Sequence, residues 1–530
     1  MTDKDTSDVW WKNAICYSLD VATYADWDGD GCGDLRGLTD RLGYLRSLGV
    51  GCLWLLPVHP SPRKDGGYDV ADHYAVDPRI GTLGDFVEMV RTAHHLGIRV
   101  LLDLVVSHTS DEHPWFRAAR RSRDAPLRDY YIWAPERPAD WHDPVFPGEQ
   151  DSTWSQDEAT GEWYFHHYHD FQPDLNVANP LVRDEINKII AFWLELGIDG
   201  FRIDSLPFII DKPGVEDSTD DPHTYLRHIR DFLTRRHGDA ILFGEANLPK
   251  QEQRAFFGDP DVPHDDSEAN LLFDFRIQAA VWLALATGEA EPIVRALRQR
   301  PAIPETCAYA NFPRHHDELT FEFVLTDAEA DQVRAAFDPD GEGDAYGRGL
   351  RRRLINLLGG DHDRARLAMS LTMALPGMPG LLYGDEIGLA DDLSLPGRSS
   401  IRVPMRWKPD PDGAPSGSLW PDAESDADHL RDAIRRIIHV RRDCTELGYG
   451  EVEVLDVDTP AIFALAATWR GRRVVVAHNL GAAVARTRLE LGDDVRVLHQ
   501  HRAEVGNDEL CLEPSGYVWL RSVFGEHHGG

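Results

Sequence analysis

Basic charge is scarce in this chain. Its 55 Lys and Arg stand against 90 Asp and Glu, a formal net charge of −35 at pH 7. A surface of that sign repels phosphate, which argues against nucleic acid, anionic membranes and acidic substrates as partners. Long apolar runs are missing as well. None approaches the ~18–20 residues a membrane span needs, and Met1–Asp8 carries no apolar core like that of a signal peptide. A cytoplasmic location and no membrane partner are expected. Cysteine is sparse: the six, at 16, 32, 52, 307, 444 and 511, form no Cys-x-x-Cys pair and no regular spacing, so reduced, packed thiols are expected. No Gly-rich dinucleotide fingerprint follows the first candidate strand, which removes the main support for a doubly wound sheet. Internal repeats and low-complexity tails are also absent.

What is present is enough for several cores. The 530 residues are 42% hydrophobic, and a chain of this length divides into two or three domains. Residues 14–20, 52–58 and 100–106 are near-continuous apolar runs, separated by helical patterns at 38–48 and 85–96. Strand and helix alternating with such strands describe a parallel sheet covered by helices. The alternation stops after His108 and resumes with a helix at 183–196. Strands follow at 200–204, 240–246, 270–275, 308–312 and 380–386, with helices between them. Eight strands predict an α/β fold, a (β/α)8 TIM barrel, with an inserted lobe after strand 3. Alternating runs beyond Gly448 predict a C-terminal antiparallel β-domain. The expected divisions are 1–107 and 181–445 for the barrel, 108–180 for the lobe and 446–530 for a C-terminal β-sandwich. A Pro/Asp/Gly/Ser-rich surface loop is expected at 408–427.

Barrel enzymes keep their chemistry where strands end. Strand 3 ends Asp103-Leu-Val-Val-Ser-His108, strand 4 ends Arg202-Ile-Asp204, strand 5 ends at Glu245, and strand 7 leads into Arg314-His-His-Asp-Glu318. Singly, Arg202 and Asp204 could be a buried pair that only orders a strand end. Together the four ends bring three carboxylates, an Arg and two His to one mouth. One ionised and one protonated carboxyl on either side of a bond are what glycosidic cleavage requires.

The order and wording of these ends resemble glycoside hydrolase family 13, the α-amylase family, over roughly residues 9–445. Its four strand-end motifs stand here as Asp103–His108, Gly200–Asp204, Glu245 and His316–Asp317. Within the family the wording is most similar to the trehalose synthase branch, through Pro60–Asp69, Gln172–Asn176, Glu245–Asn247, His316–Thr320 and Pro404–Trp407. The resemblance implies that Asp204 is the nucleophile, Glu245 the general acid/base and Asp317 the carboxylate that grips the sugar hydroxyls. It implies substrate contacts from Asp65, Tyr68, His108, Arg202, His316 and Arg402, with Arg402 closing a small blind pocket. Gln172 and Phe171 are expected at the substrate too, Phe171 standing where the branch has His.

Departures from the branch are specific. Ser107 replaces the Asn that commonly binds a central calcium between barrel and lobe. Leu248-Pro-Lys250 replaces Gln-Trp-Pro, and Ile401–Arg406 differs from Val-Arg-Thr-Pro-Met-Gln. These changes fall on the acceptor side of the pocket, while the donor-sugar motifs are intact. The expected substrate is therefore a small, maltose-like α-glucoside, cleaved by α-glucosidase-type hydrolysis or glucosyl transfer. The alternative is a trehalose synthase that isomerises maltose, and a remoter one an inactive sugar-binding protein. No organic cofactor is expected.

Asp26, Asp28, Asp30 and Asp34, with Cys32 at the carbonyl position, repeat the spacing of a calcium loop, and a short loop of this kind binds calcium in the resembling branch. A structural calcium is expected there. His166–His169 is expected at solvent or at the substrate's edge, and Arg351–Arg353 on a solvated helix face.

Overall fold

The computed structural model describes residues 7–215, 221–259, 267–321, 323–408, 425–489, 491, 495–506 and 509–523. Eight parallel strands close on themselves: β1 (Cys16–Leu19), β2 (Cys52–Leu55), β3 (Arg99–Leu104), β4 (Gly200–Ile203), β5 (Ile241–Gly244), β6 (Leu271–Phe273), β7 (Ala308–Asn311) and β8 (Met378–Leu382). Each pairs with its sequence neighbours, and β8 returns to β1 through Cys16↔Gly380. The barrel is packed rather than hollow. Cys16, Cys52, Trp54, Leu101, Ile241, Phe243, Leu271 and Phe273 form one apolar cluster inside it.

Local chemistry sets the element ends. The helix Leu35–Leu48 starts on Asp34, whose carboxylate accepts from the Gly37 N–H, and stops at Gly49 in the left-handed region. Thr82 and Asp85 cap the helix Leu83–His95 reciprocally. Pro180 opens the helix Pro180–Glu195, which buries Ile186, Ile189, Ile190 and Trp193 against the barrel. Gly200 begins β4 at φ +146, where a Cβ would collide with the Ile241 carbonyl oxygen. Only glycine lets β4 lie this close to β5.

The lobe between β3 and the helix Pro180–Glu195 carries a three-stranded sheet of Trp133–Ala134, Trp163–Phe165 and Trp154–Gln156. At its junction with the barrel, the fully buried Lys212 ammonium donates to the carbonyls of Ser107 and Leu175 and pairs with Asp174 at 2.9 Å. A fixed cation therefore stands beside Ser107, the position the resemblance links to a central calcium. The other partner of Asp174 is His167, whose Nδ1 lies at 2.7 Å. His166 and His167 are thus buried in the lobe rather than at solvent.

Beyond β7 come the helix Asp327–Phe337 and a small sheet of Leu319–Thr320, Gly349–Leu350 and Asp344–Ala345. Arg353 departs from the solvated face expected for it. It is fully buried and donates to the carbonyls of Tyr383, Leu389 and Ile401, tying the chain after β8 to the barrel. Most of the expected loop at 408–427, from 409 to 424, lies outside the described residues. After the helix Ser425–Asp443, six described strands form one hydrogen-bonded antiparallel sheet. Its last strand, Glu509–Val523, pairs with three others. His478 and Trp519 both reach Ser370 on the helix His362–Ala374, fixing the sheet to the barrel.

Candidate active site

Residues two apart on a strand share a face, so Arg202 and Asp204 both turn into the mouth of the barrel. Arg202 is buried, and its Nη1 lies 2.8 Å from Asp204 Oδ1 and 2.8 Å from Asp103 Oδ1. Its Nη2 donates to Glu245 Oε2. Asp103 also accepts from Trp54 Nε1 and the Tyr68 hydroxyl at 3.1 and 2.9 Å. Burial pushes the carboxyls of Asp204 and Glu245 each up to about 7 against the pull of Arg202. The charges of Asp103 and Asp317 add to the rise at Asp204, and those of Asp204 and Asp317 to the rise at Glu245.

Asp317 lies in the opposite environment. Arg402 Nη2, Arg398 Nη1 and His316 Nε2 stand 2.8, 3.1 and 3.0 Å from it. Burial works to raise its pKa, but Arg398, then His316 and Arg402, hold it well below the usual carboxylate range. The Tyr68 hydroxyl meets His316 Nε2 at 2.7 Å, and the two rings stack 5.6 Å apart. Gln172 Nε2 donates to Asp65 at 3.0 Å and lies 3.3 Å from His108 Nε2, while His108 Nδ1 faces Ser107 Oγ. Burial keeps His108 neutral, with its pKa lowered to about 4. Gly66, at φ +61, leaves the space that the Arg402 guanidinium fills.

These groups open on one cavity of ≈ 520 Å³, large enough for a small glycoside. Asp65, Tyr68, His108, Asp204, Glu245 and Asp317 form part of its wall. Arg202, His316, Arg402 and Gln172 stand directly behind that wall. Phe171 stacks on His169 at 4.8 Å and lies under the Lys64 ammonium.

The rest of the lining includes Tyr168, Leu248 and Glu318 from motifs the sequence marked, and Phe146, Phe208, Phe323, Arg348 and Arg398, which it did not. Phe146, from the lobe, stacks on His169, and the guanidiniums of Arg348 and Arg398 lie 5.6 and 5.1 Å from its ring. Both arginines pair with Glu318, at 2.6 and 2.8 Å. Against its burial, Arg398 and Arg348 hold Glu318 down to about 2. The usable signal was adjacency: Glu318 follows Asp317, and Arg398 lies four residues before Arg402.

In the acidic loop, carboxylate oxygens of Asp26, Asp28 and Asp34 lie within 4.8 Å of one another. Three hard oxygen donors at that spacing suit calcium. Asp30 is not in this group: its Oδ1 accepts from the Cys32 N–H, and Cys32 Sγ turns to the Gly33 carbonyl.

A family model of the α-amylase catalytic domain matches residues 21–319. The chain belongs to the α-amylase family. It is accordingly a glycoside hydrolase or glucosyl-transferring enzyme. It is similar to a protein of Mycolicibacterium smegmatis named trehalose synthase/amylase TreS, at 41% identity over 404 residues, 76% of this chain and 67% of the relative. The chain thus spans about two thirds of that relative's length. A trehalose synthase of a Pimelobacter species is 36% identical over 482 residues, 86% of this chain and 83% of the relative. Among solved structures, an α-amylase from H. orenii superposes with a TM-score of 0.78 at 25% identity, covering 96% of this chain and 99% of that one. Among the described residues no helix is long and apolar enough to cross a membrane.

Proposed function

We propose that this α-amylase family member cleaves small α-glucosides with retention and passes the glucosyl unit to the freed sugar, interconverting maltose and trehalose. The observation that carries the reading is Arg202 touching Asp204 and Glu245 at once. One guanidinium bonded to both holds the two carboxyls as a pair at adjacent strand ends, the arrangement that a nucleophile and an acid/base working on one glycosidic bond need. Asp204 attacks the anomeric carbon while Glu245 gives its proton to the leaving oxygen. A β-glucosyl ester on Asp204 results, and Asp317 grips the sugar hydroxyls as positive charge develops at the ring. Glu245 then takes the proton of the incoming hydroxyl.

Isomerisation requires the freed glucose to stay, turn and attack before water does. The aromatic cover centred on Phe146 supports that by shielding the acceptor side. The relatives named trehalose synthase favour isomerisation over the hydrolysis expected from the sequence. Hydrolysis remains the second reading because Leu248, one of the departures from the branch, lines the cavity. Incubation with maltose decides between them. Trehalose in excess over free glucose supports isomerisation, and glucose without trehalose assigns the enzyme to hydrolysis. We further propose that Asp26, Asp28 and Asp34 hold a structural calcium, whose removal by a chelator lowers Tm.

A further inference from the structure

We propose that Tyr168 is a positioning residue for the nucleophile: its hydroxyl, reaching from the lobe, clamps Ser205 and so fixes the direction in which Asp204 presents its carboxylate. The inference rests on the reading of Asp204 as nucleophile. Ser205 follows Asp204 directly and adopts φ 45, ψ 56, a left-handed conformation uncommon for a residue with a Cβ. Such a conformation persists only where its surroundings hold it.

The holder is visible. The Tyr168 hydroxyl and Ser205 Oγ are hydrogen-bonded, and Tyr168 is only 9% exposed. Its ring is wedged against His108, Phe146 and Phe208, at 5.3, 5.7 and 5.7 Å between centroids. The clamped turn is also tied to the acid/base. The Leu206 N–H donates to the Glu245 carbonyl at 2.9 Å, and the Glu245 N–H donates to the Ile203 carbonyl at 3.2 Å. Relaxation of Ser205 would therefore move Asp204 and the main chain under Glu245 together. After burial, the charges of Asp204 and Glu245 are the largest influences raising the Tyr168 pKa, which fits a hydroxyl close to both.

Glycine adopts the left-handed region without penalty, and this supplies a test that a merely structural role would not satisfy. The substrate is an aryl α-glucoside, whose cleavage is read whether or not maltose becomes trehalose. Failure of the isomerase reading therefore leaves the test standing. Tyr168→Phe is expected to lower kcat about 10–100-fold, the scale of a small misplacement of a reacting group, with KM changed by less than about twofold. Ser205→Ala removes the same hydrogen bond from the barrel side, and the two losses should not add. Ser205→Gly, which also lacks the hydroxyl but adopts this conformation freely, should keep kcat within about threefold of the native enzyme where Ser205→Ala loses it, and Tyr168→Phe should add little to it. An unchanged kcat in Tyr168→Phe, additive losses with Ser205→Ala, or an equal loss in the glycine background would each overturn the proposal.

Discussion

The two sides of the cavity are built on different principles. The donor side is a polar lattice on barrel strand ends: Asp103, Arg202 and Asp204 from adjacent strands, with Tyr68, His316, Asp317 and Arg402 packed behind and beside them. Each group is fixed by a charged neighbour, so the lattice selects one sugar in one pose. The acceptor side is a set of rings and long side chains drawn from the lobe and from the chain after β7. There, contact between Phe146 and two guanidiniums replaces a strand register. On the proposed function, a charged lattice beside an aromatic cover suits an enzyme that holds one glucosyl unit while the freed sugar turns over.

The sharpest way to break this contrast is on the donor side. Asp204→Asn should lower maltose turnover about 10⁴-fold or more while sugar binding, measured by calorimetry, survives. Near-normal turnover would move the nucleophile elsewhere. A large effect on stability is expected where the lobe meets the barrel. Lys212→Met leaves Asp174 buried with only His167, and should cost about 3–5 kcal/mol in urea unfolding. An unchanged midpoint would mean that the lobe docks by other contacts.

On the acceptor side, Phe146→Ala should leave maltose consumption within about threefold but raise the glucose-to-trehalose ratio roughly tenfold, ~1.4 kcal/mol of acceptor retention. An unchanged ratio would place the water seal elsewhere.

The smallest effect distinguishes function from stability within the lattice. Glu245 has a folded pKa raised to about 7, above its unfolded value of about 4.3. Its burial is therefore tolerated while it is protonated, and its cost to folding grows as pH rises through that interval. Glu245→Gln should raise Tm at about pH 8 and do little near pH 4, although it removes activity. Scanning calorimetry at both pH values checks the sign.

The same contrast explains what the sequence disclosed. Asp103, Arg202, Asp204, Glu245 and Asp317 were legible because strand ends in a barrel converge by topology, so their order along the chain already implies their meeting. Phe146, Tyr168 and Arg348 come from segments without periodicity, and their place depends on how the lobe and the loop after β7 dock. Arg353 was misread because a run of three arginines suggests solvent, while buried carbonyls after β8 needed a donor. In the C-terminal sheet, Val495–Val505 and Glu509–Val523 pair with register shifts between Val497 and His499 and between His501 and Ala503, which break the alternation that marks a strand.

The most direct test of retaining catalysis at Asp204 is covalent trapping. A fluorinated α-glucosyl fluoride, which forms the glucosyl ester but hydrolyses slowly, is incubated with the enzyme, and the digest is analysed by mass spectrometry. The account predicts one fluoroglucosyl adduct, on the peptide containing Asp204 and on that residue. No adduct while the reagent is consumed, or an adduct on Glu245 or Asp317, would contradict it.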